Sequence, residues 1–234
     1  MYELFIGNKN YSSWSLRPWV LMHERAIRFD ERLVPFTRGS NFDAFRHFSP
    51  SGKVPCLTDA ATIVWDSLAI AEYLAERHDG VWPADREARA WARCAAAEMH
   101  SGFGVLRERC TMNCGVRIRI DHMPVELERD IIRIGELWNE GLARFGGPFL
   151  AGAAFTAVDA FFAPVAFRAM TYDLPLDDTA AVYAARLRAL PSMRKWYADA
   201  LLESWREPGH EAEARAAGTW LEDHRVKPSG ARAG

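Results

Sequence analysis

The chain has 234 residues, of which 49% are hydrophobic and 26% charged, and its 29 basic and 31 acidic side chains give a formal net charge of −2. This length predicts one large or two small domains, and the balanced charge argues against general binding to nucleic acid or to anionic membranes. Four cysteines without a secretory signal favour the reducing cytoplasm over a disulfide framework, and no apolar run reaches the roughly 18 residues of a membrane span.

Residues 1–80 carry the pattern of a small α/β domain. Runs rich in β-branched and aromatic residues predict four strands, at residues 2–7, 29–34, 54–58 and 62–65. Helical apolar spacing predicts three helices, at residues 14–25, 42–48 and 67–78. The order βαβ, then α, then ββα predicts one α/β domain over residues 1–80.

A different pattern begins after a linker-like stretch at residues 79–85. Helical periodicity without a convincing strand predicts an all-helical domain over residues 86–208. Its main helices are expected at residues 86–109, 125–145, 160–170 and 191–206. Thr156, with Asp159 three positions later, has the pattern of a capped helix start. Residues 209–234 are rich in alanine, glycine and arginine, and we expect them to form a loosely packed tail.

The corner Gly52-Lys53-Val54-Pro55 has the character of a peptide-binding edge. An X-Pro bond in a tight corner between a helix and a strand is a good candidate for the cis form. Such a corner directs the N–H and C=O of Val54 outward, where an extended ligand can pair with them as an added strand. The alternatives are that Lys53 is a solvated loop residue and that Pro55 is a trans proline at a strand edge.

Asp66 and Ser67 open the third predicted helix. They offer a carboxylate, a hydroxyl and the free N–H groups of a helix start to the charged end of a peptide-like ligand. Asp66 also fits the simpler role of an N-cap, which is compatible with ligand binding.

Three serines, Ser12, Ser13 and Ser15, precede the first helix, where open α/β sheets bind ligands. Pro18 lacks an N–H, so regular helix is expected to begin near Ser15, which leaves Ser12 and Ser13 in the preceding loop. A hydroxyl there can donate to an anion, aided by the helix dipole. The alternative is that all three serines are helix caps only.

A nucleophilic role for these serines lacks support, because the chain has no G-x-S-x-G elbow and no histidine in a recognisable triad context. Stabilising a thiolate is chemically simpler. Lowering a thiol pKa by about two units requires about 2.7 kcal/mol. One hydrogen bond to a charged group supplies about 1.5 to 3 kcal/mol, and a helix N-terminus adds roughly 0.3 to 2 kcal/mol.

Four motifs together resemble the glutathione S-transferase family: residues 12–17, the corner at 52–57, the helix start at 66–74 and the box at 156–159. The resemblance spans residues 2–206. It implies a thioredoxin-like N-terminal domain that holds glutathione as co-substrate, a helical-bundle C-terminal domain that shapes the pocket for a small hydrophobic electrophile, and a homodimer.

The resemblance also implies roles for single residues. Counting five residues back from the first-helix arginine makes Ser12 the residue that activates the thiol, with Ser13 as a possible substitute donor. Lys53 lies near the glycine carboxylate of glutathione, and Val54 pairs its main chain with the cysteinyl residue. Asp66 and Ser67 hold the γ-glutamyl end.

The chain departs from the zeta class of this family, which has a cysteine where Trp14 stands and a different sequence at Pro18. A glutathione transferase is the leading hypothesis. The alternatives are a glutathione-dependent isomerase of zeta type, a reductive dehalogenase, and a non-catalytic dimeric scaffold with the same fold. A scaffold has no need of the whole set of ligand-binding residues.

Cys110 and Cys114, with His100 and His122 nearby, suggest a metal site, but their spacing is not a usual zinc pattern. We interpret the two cysteines as small buried apolar residues that share one face of a helix. No metal is therefore expected in the site.

Overall fold

The N-terminal domain is a four-stranded mixed sheet in a computed structural model that describes residues 1–227. Its strands are β1 (Tyr2–Ile6), β2 (Phe29–Leu33), β3 (Cys56–Asp59) and β4 (Thr62–Val64). Strand β1 pairs parallel with β2 and antiparallel with β3, and the sheet order is β2-β1-β3-β4. This is the predicted thioredoxin-like α/β arrangement.

Three helices complete this domain: α1 (Ser13–Glu24), α2 (Phe42–Arg46) and α3 (Ser67–Ala75). Helix α1 buries Leu16 and Trp19, and α3 buries Ile70, together with Leu4 and Ile6 of β1. Burying a large apolar side chain stabilises the fold by about 1.5 to 3 kcal/mol. The apolar periodicity of these short segments therefore fixes which helix faces meet the sheet.

The C-terminal domain is helical, as predicted. Its first six helices are α4 (Arg86–Ser101), α5 (Gly104–Arg109), α6 (Val125–Phe145), α7 (Ala157–Tyr172), α8 (Asp178–Ala189) and α9 (Pro191–Leu202). Helix α7 is buried along almost its whole length and contacts α1, α4 and α8. The predicted single helix at 86–109 is interrupted, because Phe103 takes a left-handed conformation with φ of 56°. Over residues 1–227, none of the helices combines the length and the apolar character that crossing a membrane requires.

The expectations of no strand after residue 86 and of a loosely packed tail are wrong for the residues described. Strand β5 (Val116–Ile120) pairs antiparallel with β6 (Gly218–Asp223), and α10 (Pro208–Ala216) precedes β6. The buried Arg225 side chain forms ion pairs with Glu211 and Asp223. These contacts tie the C-terminal segment to the domain, and the rest of the predicted tail, residues 228–234, lies outside the described residues.

Asp159 secures the start of the central helix α7. Its fully buried carboxylate accepts hydrogen bonds from Leu150 N at 3.0 Å, Thr156 N at 2.9 Å and Tyr183 Oη at 2.8 Å. Burial raises the pKa of Asp159 to about 6, and the donated hydrogen bonds oppose that rise. The predicted capping box at Thr156 and Asp159 is present.

We predict that Asp159→Ala lowers the free energy of unfolding by about 2 to 4 kcal/mol, because it removes a cap and leaves buried donors unpaired. The matched control is Asp177→Ala. Asp177 caps α8 by accepting from Ala180 N at 3.0 Å, but at an exposed position, so its loss should cost about 1 kcal/mol. Urea unfolding of both variants measures the difference, and equal losses would contradict the role of burial.

Candidate functional site

A cavity of about 470 Å³ lies where the N-terminal domain meets the helical domain. The start of α1, the segment from residue 36 to residue 54, the end of α5, helix α7 and helix α10 all contribute to its wall. Of the residues predicted from sequence, Ser12, Ser13, Lys53 and Val54 line it. The structure therefore brings four of the six predicted residues into one cavity.

Ser12 is the N-cap of α1, which begins at Ser13. The predicted start near Ser15 is wrong, because Leu16 N donates to Ser12 O at 3.2 Å and closes the first turn despite Pro18. Ser12 Oγ donates to Ser15 Oγ at 2.7 Å, and Ser15 Oγ also accepts from Gly7 N at 3.1 Å. Ser12 thus caps the helix and lines the cavity at once, and Ser15 orients its hydroxyl.

Ser13 contacts a buried cation that sequence patterns did not reveal. Its Oγ accepts a hydrogen bond from Arg168 Nη2 at 3.3 Å, and Arg168 Nε donates to Cys110 O at 2.7 Å. Burial and the nearby Arg107 lower the pKa of Arg168 to about 10, so the guanidinium stays charged at neutral pH. Arg107 and Arg168 both line the cavity, which gives it positive character.

The corner before β3 has the predicted form, with a cis bond between Val54 and Pro55. Gly52 has φ of 63°, a left-handed conformation that favours glycine and that lets the chain turn into the corner. Lys53 is exposed. Within residues 1–227 neither the N–H nor the C=O of Val54 makes a hydrogen bond. The edge that Val54 presents to the cavity is therefore open to an extended ligand.

Asp66 and Ser67 do not line the cavity. Asp66 is the N-cap of α3, accepting from Leu68 N at 2.9 Å, and its carboxylate lies 3.4 Å from His100 Nε2. The His100 ring meets the ring of Trp14, which does line the cavity, at a centroid distance of 5.3 Å. Ser67 Oγ is buried and has no hydrogen-bond partner among the described residues.

Helix α10 contributes His210 and Glu213 to the cavity wall. The His210 ring stacks on Tyr11 and Phe36 at centroid distances of 5.0 and 5.1 Å, and its Nδ1 lies 2.7 Å from Glu207 Oε2. No local pattern identified these residues, because their role depends on where a segment about 200 residues away from α1 docks.

The interpretation of Cys110 and Cys114 as buried apolar residues agrees with their positions, although neither lies on a helix. Burial raises the pKa of the Cys110 thiol to about 12 and raises that of Cys114 as well. Both thiols are therefore protonated at neutral pH. Residues 1–227 contain no group of three or more His, Cys, Asp or Glu side chains suited to a metal ion.

Two family models match the chain. Residues 11–77 match the N-terminal domain of glutathione S-transferases, and residues 90–199 match their C-terminal domain. The chain belongs to the glutathione S-transferase family. Both matched segments contribute to the cavity, and the chain is accordingly an enzyme of that family.

The relatives and structural neighbours agree with this assignment. A probable maleylacetoacetate isomerase from Vibrio cholerae is 29% identical over 210 residues, which cover 82% of this chain and 94% of the relative. A zeta-class glutathione S-transferase from Euphorbia esula is 26% identical over 68% of this chain and 73% of its own length. A glutathione transferase homolog from Burkholderia gl BGR1, solved with bound glutathione, has a TM-score of 0.64 at 23% identity and covers 85% of this chain and 97% of its own.

The docking of α10 generates a prediction about Arg225. The Glu211 carboxylate accepts hydrogen bonds from Arg225 Nη2 at 3.0 Å, Tyr11 Oη at 2.8 Å and Asn113 Nδ2 at 3.1 Å. Because Arg225→Leu leaves the half-buried Glu211 carboxylate without its cation, we expect a loss of about 3 kcal/mol of stability and faster proteolysis within residues 208–227.

Arg194→Leu is the control, since Arg194 lies exposed on α9 and its side chain has no partner among the described residues. Urea unfolding and timed digestion with mass spectrometry compare the two variants. Equal stability and equal cleavage rates would show that the Arg225 network does not hold α10 in place.

Proposed function

We propose that this enzyme binds glutathione in the cavity, holds its sulfur as a thiolate and directs it at a small hydrophobic electrophile. The observation that carries the proposal is the position of Ser12. It lies at the N-terminus of α1 and lines the same cavity as the unpaired main chain of Val54. A hydroxyl that can donate a hydrogen bond to sulfur and an edge that can pair with a peptide thus line the same cavity.

The proposed glutathione lies extended across the cavity. Its cysteinyl residue pairs with the main chain of Val54 as an added strand, and its glycine carboxylate meets Lys53, which has no ion-pair partner in residues 1–227. Asp66 and Ser67 take the γ-glutamyl end. The buried, unpartnered Ser67 Oγ supports this, because a buried hydroxyl gains when a ligand oxygen completes its hydrogen bonding.

The proposed activation of sulfur uses groups already present. The Ser12 hydroxyl turns from Ser15 Oγ toward sulfur, where its hydrogen bond and the positive end of the α1 dipole favour the thiolate. The positive charges of Arg107 and Arg168 in the same cavity also favour the thiolate over the thiol. The thiol proton leaves to solvent, and the sulfur lone pair then forms the bond to the electrophilic carbon as the leaving group departs with its electron pair.

A glutathione-dependent isomerase is the second candidate, favoured by the similarity to the probable maleylacetoacetate isomerase. In that reaction sulfur adds to the substrate and leaves again, so glutathione is recovered. A panel of an aryl halide, an organic peroxide and a maleyl compound separates conjugation, reduction and isomerisation. We propose conjugation as the main activity and detoxification of electrophiles as its role.

We further propose a homodimer in the cytoplasm, with glutathione and the electrophile as its small-molecule partners. Ile63 and Trp65, each 44% exposed, give the β4 edge of the sheet apolar surface suited to a second copy. All four cysteines are free thiols, which fits a reducing compartment. Sedimentation equilibrium should give twice the 26.4 kDa mass of one chain. A mass of one chain at micromolar concentration would rule out the dimer.

The central prediction concerns the thiol of bound glutathione. Ser12→Ala should raise its pKa by about one to two units, because one hydrogen bond to a charged group is worth about 1.5 to 3 kcal/mol. The ultraviolet absorbance of the thiolate, followed across pH, measures this value.

Ser13→Ala is the matched control, because its hydroxyl is held by Arg168 and is next to Ser12. A pKa shift in Ser13→Ala alone would exchange the two roles. No binding of glutathione by the wild type at millimolar concentration would overturn the proposed function as a whole.

A further inference from the structure

The wall that the helical domain gives to the cavity is cationic, and none of the described carboxylates forms an ion pair with its two arginines, Arg107 and Arg168. Arg107 Nε donates to Gly102 O at 2.9 Å and Arg107 Nη2 to Met99 O and His100 O, and Arg168 Nε donates to Cys110 O at 2.7 Å. Main-chain carbonyls hold both side chains in place without neutralising them.

Three hydrogen-bond donors on this wall have no partner in the described chain. They are Arg107 Nη1, Arg168 Nη1 and Thr111 Oγ1, and all three atoms are buried. A buried donor left unpaired destabilises the protein, and more strongly when it is charged. Arg168 is only 3% exposed, so bulk water does not solvate its guanidinium. A ligand in the cavity that carries acceptor oxygens would satisfy donors of this kind.

Arg17 shows why these donors differ from other buried arginine groups. Its Nε and Nη1 are also unpaired, but its guanidinium lies between the rings of Trp14 and Phe161, at 4.2 and 4.9 Å, and it does not line the cavity. Asp66 acts as the counter-charge of Arg17. Arg107 likewise has Asp130 nearby and lies over the Trp14 ring at 4.8 Å. Position in the cavity wall is therefore what distinguishes Arg107 and Arg168 from Arg17. The only carboxylate that lines the cavity among the described residues is Glu213, which is exposed on α10.

The anion that this wall fits cannot be a carboxylate of glutathione in the proposed pose. Those two groups lie at Lys53 and at Ser67, on the side of the N-terminal domain. Arg168 instead lies beside Ser13, which is next in the chain to Ser12, the proposed hydrogen-bond donor to the thiolate. An anion bound there sits next to the sulfur, where the second substrate must lie.

We propose that Arg107, Thr111 and Arg168 bind a carboxylate carried by the electrophile, so that this enzyme prefers anionic acceptors to neutral hydrophobic ones. This inference rests on the proposed function. A carboxylate presents two oxygens, which match paired guanidinium donors in a geometry that a neutral group cannot reproduce. The bond-forming step is unchanged, with sulfur bonding to carbon as the leaving group departs with its electron pair.

A matched pair of aryl halides tests the proposal: chloronitrobenzoate and its methyl ester. Both release chloride as sulfur bonds to the ring, and they differ in the charge of one group. We expect the wild type to give at least tenfold higher kcat/KM with the acid, relative to the uncatalysed rates. Equal values for acid and ester would overturn the proposal.

Arg168→Met removes the charge while keeping most of the side-chain volume. The ratio of acid to ester kcat/KM should fall by about tenfold to a hundredfold, mainly through KM, because a charge-assisted hydrogen bond is worth about 1.5 to 3 kcal/mol. Arg168→Lys should recover part of that ratio. If both substrates lose activity equally, so that the ratio is unchanged, Arg168 acts on the thiolate alone and the acceptor subsite is wrong.

Benzoate inhibition keeps the test valid if the buried Arg168 variants fail to fold. Benzoate should inhibit the wild type competitively with the acid acceptor and should not displace glutathione. Thr111→Val, which replaces the hydroxyl by a methyl group of similar size, should weaken this inhibition about threefold. Absence of inhibition, with glutathione still bound as thiolate, would overturn the subsite alone, whereas failure to bind glutathione would overturn the proposed function.

Discussion

The packing of α1 against α7 is the contact on which the candidate site depends. One helix starts in the sheet domain and carries Ser12 and Ser13 at its N-terminus, and the other is the buried centre of the helical domain and carries Arg168. The Arg168 to Ser13 hydrogen bond crosses this boundary. Because Asp159 fixes where α7 begins, a helix cap far from the cavity sets the position of a cation inside it.

The parts that could be predicted from sequence are those fixed by neighbours in the chain. The cis corner at Pro55, the cap at Asp66 and the capping box at Thr156 each follow from a few adjacent residues. Pro18 predicts a later start for α1 than the structure has, because the helix tolerates Pro18 in its interior and the bond from Leu16 N closes the first turn at Ser12.

Features that join distant segments could not be predicted in this way. Strand β5 has alternating apolar and arginine residues, but its partner β6 lies about 100 residues further on. Whether the side chains of Arg107 and Arg168 point into the cavity depends on how α5 and α7 pack. An amphipathic pattern does not distinguish an arginine that faces solvent from one that faces a cavity.

The network of Tyr11, Glu211 and Arg225 has a consequence for how the enzyme is made. Domains generally fold as units during synthesis, the N-terminal one first. The peptide-binding edge and α1 can therefore form early, whereas α10, which contributes His210 to the cavity wall, is synthesised about 200 residues later. Until α10 has been synthesised and has docked, the cavity lacks one wall and the site stays open to solvent.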